Sequence, residues 1–177
     1  WNAVHVFWVD ERSVPPDDPL SNFLAARNAL LSKAGIPAAN IHRIKGELPP
    51  AEAAAAYEED LEKFFGPGIP AFDLMIMGMG PDGHTASLFP FSTALGEKSR
   101  RAVAVPPPTT AKPAVERVTL TYPVINNAGN ILFLTSGADK RGLAEAVATG
   151  AETDLQKYPA AGVRADGPLL WLHSDNN

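Results

Sequence analysis

The segment Phe72 to Met77 is almost wholly apolar and runs straight into Gly78-Met79-Gly80-Pro81-Asp82-Gly83. A short apolar run closed by turn residues is the pattern of a buried strand. The glycines that follow let the backbone turn tightly and approach a ligand. Around this segment, strand and helix patterns alternate. Val4 to Val9 reads as a strand that ends in Asp10-Glu11-Arg12, before a loop with Pro15, Pro16 and Pro19. A helix is expected from Pro19 or Ser21 to Ala34, with Asp18 or Ser21 as cap and Gly35 as its stop. Its apolar face is Phe23, Leu24, Leu30 and Leu31. A short strand follows at Ile41 to Ile44. Pro49-Pro50 opens a second helix that reaches Phe65, and Gly66-Pro67-Gly68 ends it. Further strands are expected at Ala102 to Val105, Arg117 to Leu120, Asn130 to Thr135 and Leu169 to Leu172, with a helix at Ala138 to Ala148.

Alternation of this kind predicts an α/β fold with a mainly parallel sheet. The length of 177 residues fits a single domain over 1–177. Pro106-Pro107-Pro108 reads as a stiff surface loop inside that domain, because strand pattern resumes soon after it. Trp8, Phe64, Phe65 and Phe72 are core candidates. The chain opens at Trp1 directly on a strand-like run, without a signal-peptide pattern. The expectation is that an upstream segment lies outside these residues.

Composition narrows the function classes. Cysteine is absent, so disulfides and thiolate metal sites are excluded, which agrees with a cytoplasmic protein. No apolar run approaches the roughly 18 residues of a membrane span. The net charge is -5 and no basic run occurs, which argues against a nucleic-acid partner. No His-Glu-x-x-His or comparable spacing suggests a metal. His5, His42 and His173 have no sequence neighbours that suggest a constellation, and they read as structural or solvated.

In parallel sheets, ligands bind beyond the carboxyl ends of the strands. Three segments put polar groups there: Asp10-Glu11-Arg12, Gly78 to His84, and Gly137 to Lys140. His84 at the end of the glycine loop could accept a proton near neutral pH. Asp82 could orient it. The plainer alternative is a glycine turn that carries a satisfied surface histidine.

The run Gly80-Pro81-Asp82-Gly83-His84-Thr85-Ala86-Ser87-Leu88-Phe89-Pro90 closely resembles the signature of the 6-phosphogluconolactonases. Asp10-Glu11-Arg12 with Ser21-Asn22 resembles an earlier motif of that family. Arg117-Val118-Thr119-Leu120-Thr121 and Ser136-Gly137-Ala138-Asp139-Lys140 resemble two later ones. The resemblance implies a Rossmann-like three-layer domain, a fold shared with glucosamine-6-phosphate deaminases and ribose-5-phosphate isomerases. It implies hydrolysis of 6-phospho-D-glucono-1,5-lactone to 6-phospho-D-gluconate without cofactor or metal. His84 is then the base and Asp82 its partner. Asp10, Arg12, Asn22, Gly80, Gly83 and Lys140 become candidate substrate or phosphate contacts. Each has a plainer alternative. Arg12 could pair with Asp17 or Asp18, Lys140 could be a solvated helix lysine, Glu11 and Asn22 could cap a helix, and Arg117 could form a structural ion pair.

The resemblance also implies an upstream strand, a Gly-Gly-Ser-Thr-Pro-like phosphate loop and a helix, and no Gly-Gly-Ser occurs in these residues. Weakened substrate binding and exposed apolar sheet surface are the expected consequences. The related deaminases carry a glutamate five residues after the motif histidine, where this chain has Phe89. A deaminase-like isomerase is therefore the lesser alternative, beside a sugar-phosphate-binding domain without full catalysis. The expected partner is a small phosphorylated sugar lactone, and the expected state a monomer or weak homo-oligomer.

Overall fold

The computed structural model describes residues 1–109 and 112–175. It is an α/β fold with eight strands among the described residues. β1 (Val6–Phe7) pairs in parallel with β3 (Ile41–His42). β4 (Met75–Met77), β7 (Ile131–Ser136) and β8 (Leu169–Ser174) form a parallel sheet with β7 in the middle. The third sheet is antiparallel, in the order β2 (Asp10–Arg12), β6 (Arg117–Leu120), β5 (Ala102–Val105).

Parallel pairing dominates, as expected, but the antiparallel sheet was not foreseen. The run Val4 to Val9 keeps strand geometry only at Val6–Phe7, and the chain then changes partner. Asp10-Glu11-Arg12, expected as the end of the first strand, is a separate strand β2 against Thr119-Val118-Arg117. Strand propensity marks extended backbone, whereas the pairing partner is set by tertiary contacts.

Helices follow the capping signals closely. The Ser21 hydroxyl accepts from the Leu24 amide at 3.1 Å and starts α1 (Asn22–Ala26). A π turn at Arg27–Leu31 leads into α2 (Ser32–Ala34), which Gly35 ends at φ 66°. That left-handed conformation suits glycine. α3 (Pro50–Phe65) buries Ala53, Ala54, Tyr57 and Leu61 on one face. α4 (Tyr122–Ile125) is one turn long and carries no periodic signal of its own. α5 (Ala138–Ala148) makes the crossover between β7 and β8.

The core joins these elements. Met75, Met77, Ile131 and Phe133 line the buried face of the parallel sheet, and Val118, Leu120, Val124 and Ile125 fill the space near the antiparallel one. Phe133 stacks on Trp171 at 4.0 Å between ring centroids. The Tyr57 hydroxyl accepts from the Trp8 amide at 2.9 Å and donates to the Trp8 carbonyl at 2.8 Å, which fixes α3 to the chain between β1 and β2. Of the aromatic core candidates, Trp8 is buried, Phe65 and Phe72 are half-buried, and Phe64 is exposed. Phe64, Phe65 and Phe72 gather instead around Phe7, where short β1 leaves a rim open.

The opposite face of the parallel sheet shows Ile76, Leu134, Leu170 and Leu172 to solvent. A cleft of about 700 Å³ runs beside β1 and β4, lined by Phe7, Phe64, Phe72 and Ile76 among others. No described helix is long and apolar enough to cross a membrane.

Candidate active site

The glycine loop follows β4 and folds back on itself. The Gly80 amide donates to the His84 carbonyl at 2.9 Å, and the Gly83 amide donates to the Gly80 carbonyl at 3.0 Å. The Thr85 hydroxyl donates to the Gly78 carbonyl at 2.8 Å. His84 therefore stands at the closure of a hydrogen-bonded ring of backbone rather than on a free loop. The Gly80 and Gly83 amides, expected among the donors that face a ligand, are bonded inside the loop.

Both glycines are needed for space. A Cβ at position 80 would collide with the His84 ring and crowd the Asp82 carboxylate. Gly83 has φ 79°, and a Cβ there would lie 2.8 Å from the Tyr158 ring. The Ala160 amide donates to the Gly83 carbonyl at 2.9 Å, so the turn at Pro159–Gly162 backs the loop.

His84 Nδ1 lies 2.5 Å from Asp82 Oδ1, and each side chain is about 19% exposed. Such a short contact needs a proton between the two atoms. In the neutral imidazole beside an ionised carboxylate, that proton sits on Nδ1 and Nε2 keeps its lone pair. The ring is also held by Phe89, whose centroid is 4.7 Å from that of the imidazole. Phe89 is buried, so an aromatic ring, not a carboxylate, backs the imidazole on this side.

The rest of the loop docks on the antiparallel sheet. Ser87 is fully buried; its hydroxyl donates to Asp10 Oδ2 at 2.6 Å and its amide donates to Thr119 Oγ1 at 3.2 Å. Ala86 between them has φ 49°, a left-handed conformation that a residue with a Cβ adopts at a cost of roughly 1–2 kcal/mol. This strain and the two buried hydrogen bonds aim the loop at β2 and β6.

The structure brings most of the sequence candidates together here. Asp10 accepts from Ser87 and from the Asn22 amide group, which lies 3.2 Å from Oδ1. Asn22 donates to the Asp10 carbonyl as well, at 3.0 Å, so it braces Asp10 instead of capping its helix. Glu11 takes the capping role. Its carboxylate accepts from the Ser21 hydroxyl and from the Asn22 and Phe23 amides, the last two at 2.7 Å. Arg12 donates to the Leu20 carbonyl at 2.6 Å and forms no ion pair with Asp17 or Asp18 among the described residues. Arg117 is buried and sits 5.4 Å above the Phe89 ring. Lys140 is set apart, half-buried in the first turn of α5 at the carboxyl end of β7, on the edge of the parallel sheet that also carries the glycine loop.

The other histidines do have partners. His5 Nδ1 is 3.1 Å from His42 Nε2, and His42 Nδ1 is 2.9 Å from Asp60 Oδ2, so the pair ties β1 and β3 to α3. His173 Nδ1 is 2.9 Å from the Thr135 hydroxyl. These partners lie far away in sequence, which hid them. Tyr158, which packs on Gly83, was missed for the same reason. Among the described residues, no three His, Cys, Asp or Glu side chains are placed to hold a metal ion.

Residues 1–171 match the family described as glucosamine-6-phosphate isomerases/6-phosphogluconolactonase. The chain belongs to this family. A protein of Nostoc sp. named 6-phosphogluconolactonase is 45% identical, over 97% of this chain and 71% of its own length. The crystal structure of 6-phosphogluconolactonase from Thermotoga maritima superposes with a TM-score of 0.84 at 34% identity, covering 98% of this chain and 74% of that one. A monomeric glucosamine-6-phosphate deaminase superposes with a TM-score of 0.74 at 20% identity, over 96% of this chain and 73% of the deaminase, and shows the shared fold alone. The loop from Gly78 to Pro90 therefore sits on a scaffold that this chain shares with the 6-phosphogluconolactonase of Thermotoga maritima.

Proposed function

We propose that this chain hydrolyses 6-phospho-D-glucono-1,5-lactone to 6-phospho-D-gluconate, with His84 as general base. The observation that carries this reading is the Asp82–His84 contact, which leaves Nε2 free to take a proton. A water gives its proton to Nε2 as its oxygen adds to the lactone carbonyl. The tetrahedral oxyanion collapses, the bond from the carbonyl carbon to the ring oxygen breaks, and the imidazolium returns the proton to that oxygen. The products are a hydroxyl and a carboxylic acid that ionises. Asp82 keeps the tautomer and favours the imidazolium that forms, the task of the aspartate in a hydrolase triad.

Asp10 and Asn22 line the wall of the large cleft and are braced for contacts with sugar hydroxyls. His84 is not among the residues of that cleft, which is mostly apolar, so the reading rests on the loop geometry rather than on the cleft. Arg12 offers a planar fork for phosphate oxygens. Lys140, in the first turn of α5, would add a cation at the helix end that favours anions. Gly80 and Gly83 serve by leaving room for the imidazole and for Tyr158. The buried Phe89 favours the lactonase over deaminase-like chemistry, since it offers no second carboxylate to relay a proton. Residues 1–177 act as one α/β unit in this reading, as a monomer or weak homo-oligomer in the cytoplasm. The partner is the small lactone, not nucleic acid or a membrane.

The test is lactone hydrolysis above the spontaneous rate, for the intact chain and for His84→Ala. Loss of the base should lower kcat by ~10²–10⁴-fold. Equal rates in the two proteins would remove His84 from the mechanism.

A further inference from the structure

Arg12 and Arg117 are register partners in the antiparallel pair β2–β6, as are Asp10 and Thr119. Directly opposed residues project from the same face of a sheet, and so do residues two apart on one strand. Asp10, Arg12, Arg117 and Thr119 therefore share one face. That face meets the catalytic loop: Ser87 bonds Asp10 and Thr119, and the Phe89 ring lies under Arg117.

The two guanidinium groups are poorly satisfied there. Arg117 is 3% exposed, and among the described residues its Nη2 alone has a hydrogen bond, to the Pro113 carbonyl at 2.9 Å. Its Nη1 is 4.0 Å from Asp10 Oδ2, too long for a hydrogen bond. Asp10 is already held by Ser87 and Asn22. The Nε atoms of both Arg117 and Arg12 are buried without a partner, and so is the Ser13 hydroxyl. Burial and the neighbouring Arg12 both lower the pKa of Arg117. A buried donor without an acceptor is costly, and the guanidinium is built to grip an oxyanion by two parallel bonds. Asp10 and Glu11 offset part of this positive charge, but the two buried Nε donors beside the glycine loop still lack an acceptor among the described residues.

We propose that Arg117 joins Arg12 in a two-guanidinium cradle for a phosphate monoester, and that Arg117 is a substrate-binding residue rather than a structural ion-pair partner. The identity of the monoester as the phosphorylated lactone rests on the lactonase reading; the cradle itself does not. His84 and Arg117 flank the same Phe89 ring, at 4.7 and 5.4 Å from its centroid. A phosphorylated sugar lactone that spans the distance between them would place its carbonyl at the imidazole and its phosphate at the arginines.

The experiment compares the intact chain with Arg117→Gln, Arg117→Lys, Arg12→Gln and His84→Ala. Binding of inorganic phosphate is measured by calorimetry, and hydrolysis is measured on the phosphorylated lactone and on unphosphorylated gluconolactone. The expected result is at least about tenfold weaker phosphate binding in the Arg12 and Arg117 variants, as for loss of a charge-assisted bidentate contact. His84→Ala should bind phosphate as the intact chain does. In Arg117→Gln, KM for the phosphorylated lactone should rise about tenfold or more with a smaller change in kcat, the mark of lost uniform binding. Hydrolysis of the unphosphorylated lactone should fall much less. Unchanged phosphate binding in Arg117→Gln, or equal losses on the two lactones, would overturn the proposal. If the Gln variant does not fold, the Lys variant decides in the same way: it keeps the charge, lacks the fork, and must also bind phosphate more weakly. A chain without lactonase activity whose phosphate binding still depends on Arg117 would sink the lactonase reading and leave the cradle standing.

Discussion

At the scale of single residues, the site depends on two glycines as much as on its histidine. Gly80 has no unusual backbone conformation to explain it; its role is that the imidazole and the Asp82 carboxylate occupy the place a Cβ would take. Gly80→Ala should push His84 off Asp82. A displacement of about 1 Å at a reacting group costs on the order of 10²-fold in rate. We expect kcat to fall by at least tenfold while the melting temperature moves far less, since the strain is confined to one loop. Kinetics and calorimetry on the same preparation check this, and an unchanged kcat would refute it. Glu11 teaches the converse. It stands in a family motif beside Asp10 and Arg12, yet its carboxylate is taken up by the amino end of α1. Motif membership could not separate these three roles, because alternate side chains of β2 point to opposite faces.

At the scale of elements, local chemistry decided most of what formed. The bounds expected for β5, β6 and α5 are the bounds observed, because each is closed by turn or capping residues in the chain itself. Where two segments meet, long-range contacts take over. Glu97 shows how a connecting turn is held. Its carboxylate accepts from the Arg100 and Ser99 amides, the Ser99 hydroxyl and the Lys98 amide, which lower its pKa from 4.5 to about 2. A depressed carboxyl stabilises the folded turn above its unfolded pKa and ceases to do so as pH falls through the folded value. The order of this turn should therefore persist at pH 4 and be lost only as pH approaches about 2. A carboxyl titration by NMR should find a midpoint near 2 for Glu97, raised toward 4.5 in Ser99→Ala. A midpoint near 4.5 in the unaltered chain would show that the turn is not held this way.

Across the whole molecule, the parallel sheet has two unlike faces. Met75, Met77, Ile131 and Phe133 are buried on one, and Ile76, Leu134, Leu170 and Leu172 are in solvent on the other. Parallel sheets usually bury both faces, and contiguous exposed apolar surface favours association. Replacing Leu134 and Leu172 by threonine should keep the strand propensity and lower concentration-dependent association. Light scattering across a concentration series measures this; equal association in the two proteins would mean that another surface is responsible. Such a change lies on the sheet face away from the buried core and should leave lactone hydrolysis near its original rate.

Read alone, the chain determined the α/β class and the family, and it singled out the glycine loop, with His84 and Asp82, as the candidate site. Each of these is written in contiguous residues: an apolar run closed by glycines, a capped helix, an eleven-residue signature from Gly80 to Pro90. Only the tertiary structure decided what those residues touch. It made Asp10-Glu11-Arg12, the expected end of the first strand, a separate strand in another sheet, gave Glu11 to a helix end, bonded the Gly80 and Gly83 amides within their loop, and left Arg117 buried with an unmatched Nε. The reason is physical. Backbone preference and capping act over a few residues and leave a trace in sequence, whereas strand partners, burial and hydrogen-bond satisfaction are settled between segments as distant in the chain as β2 and β6.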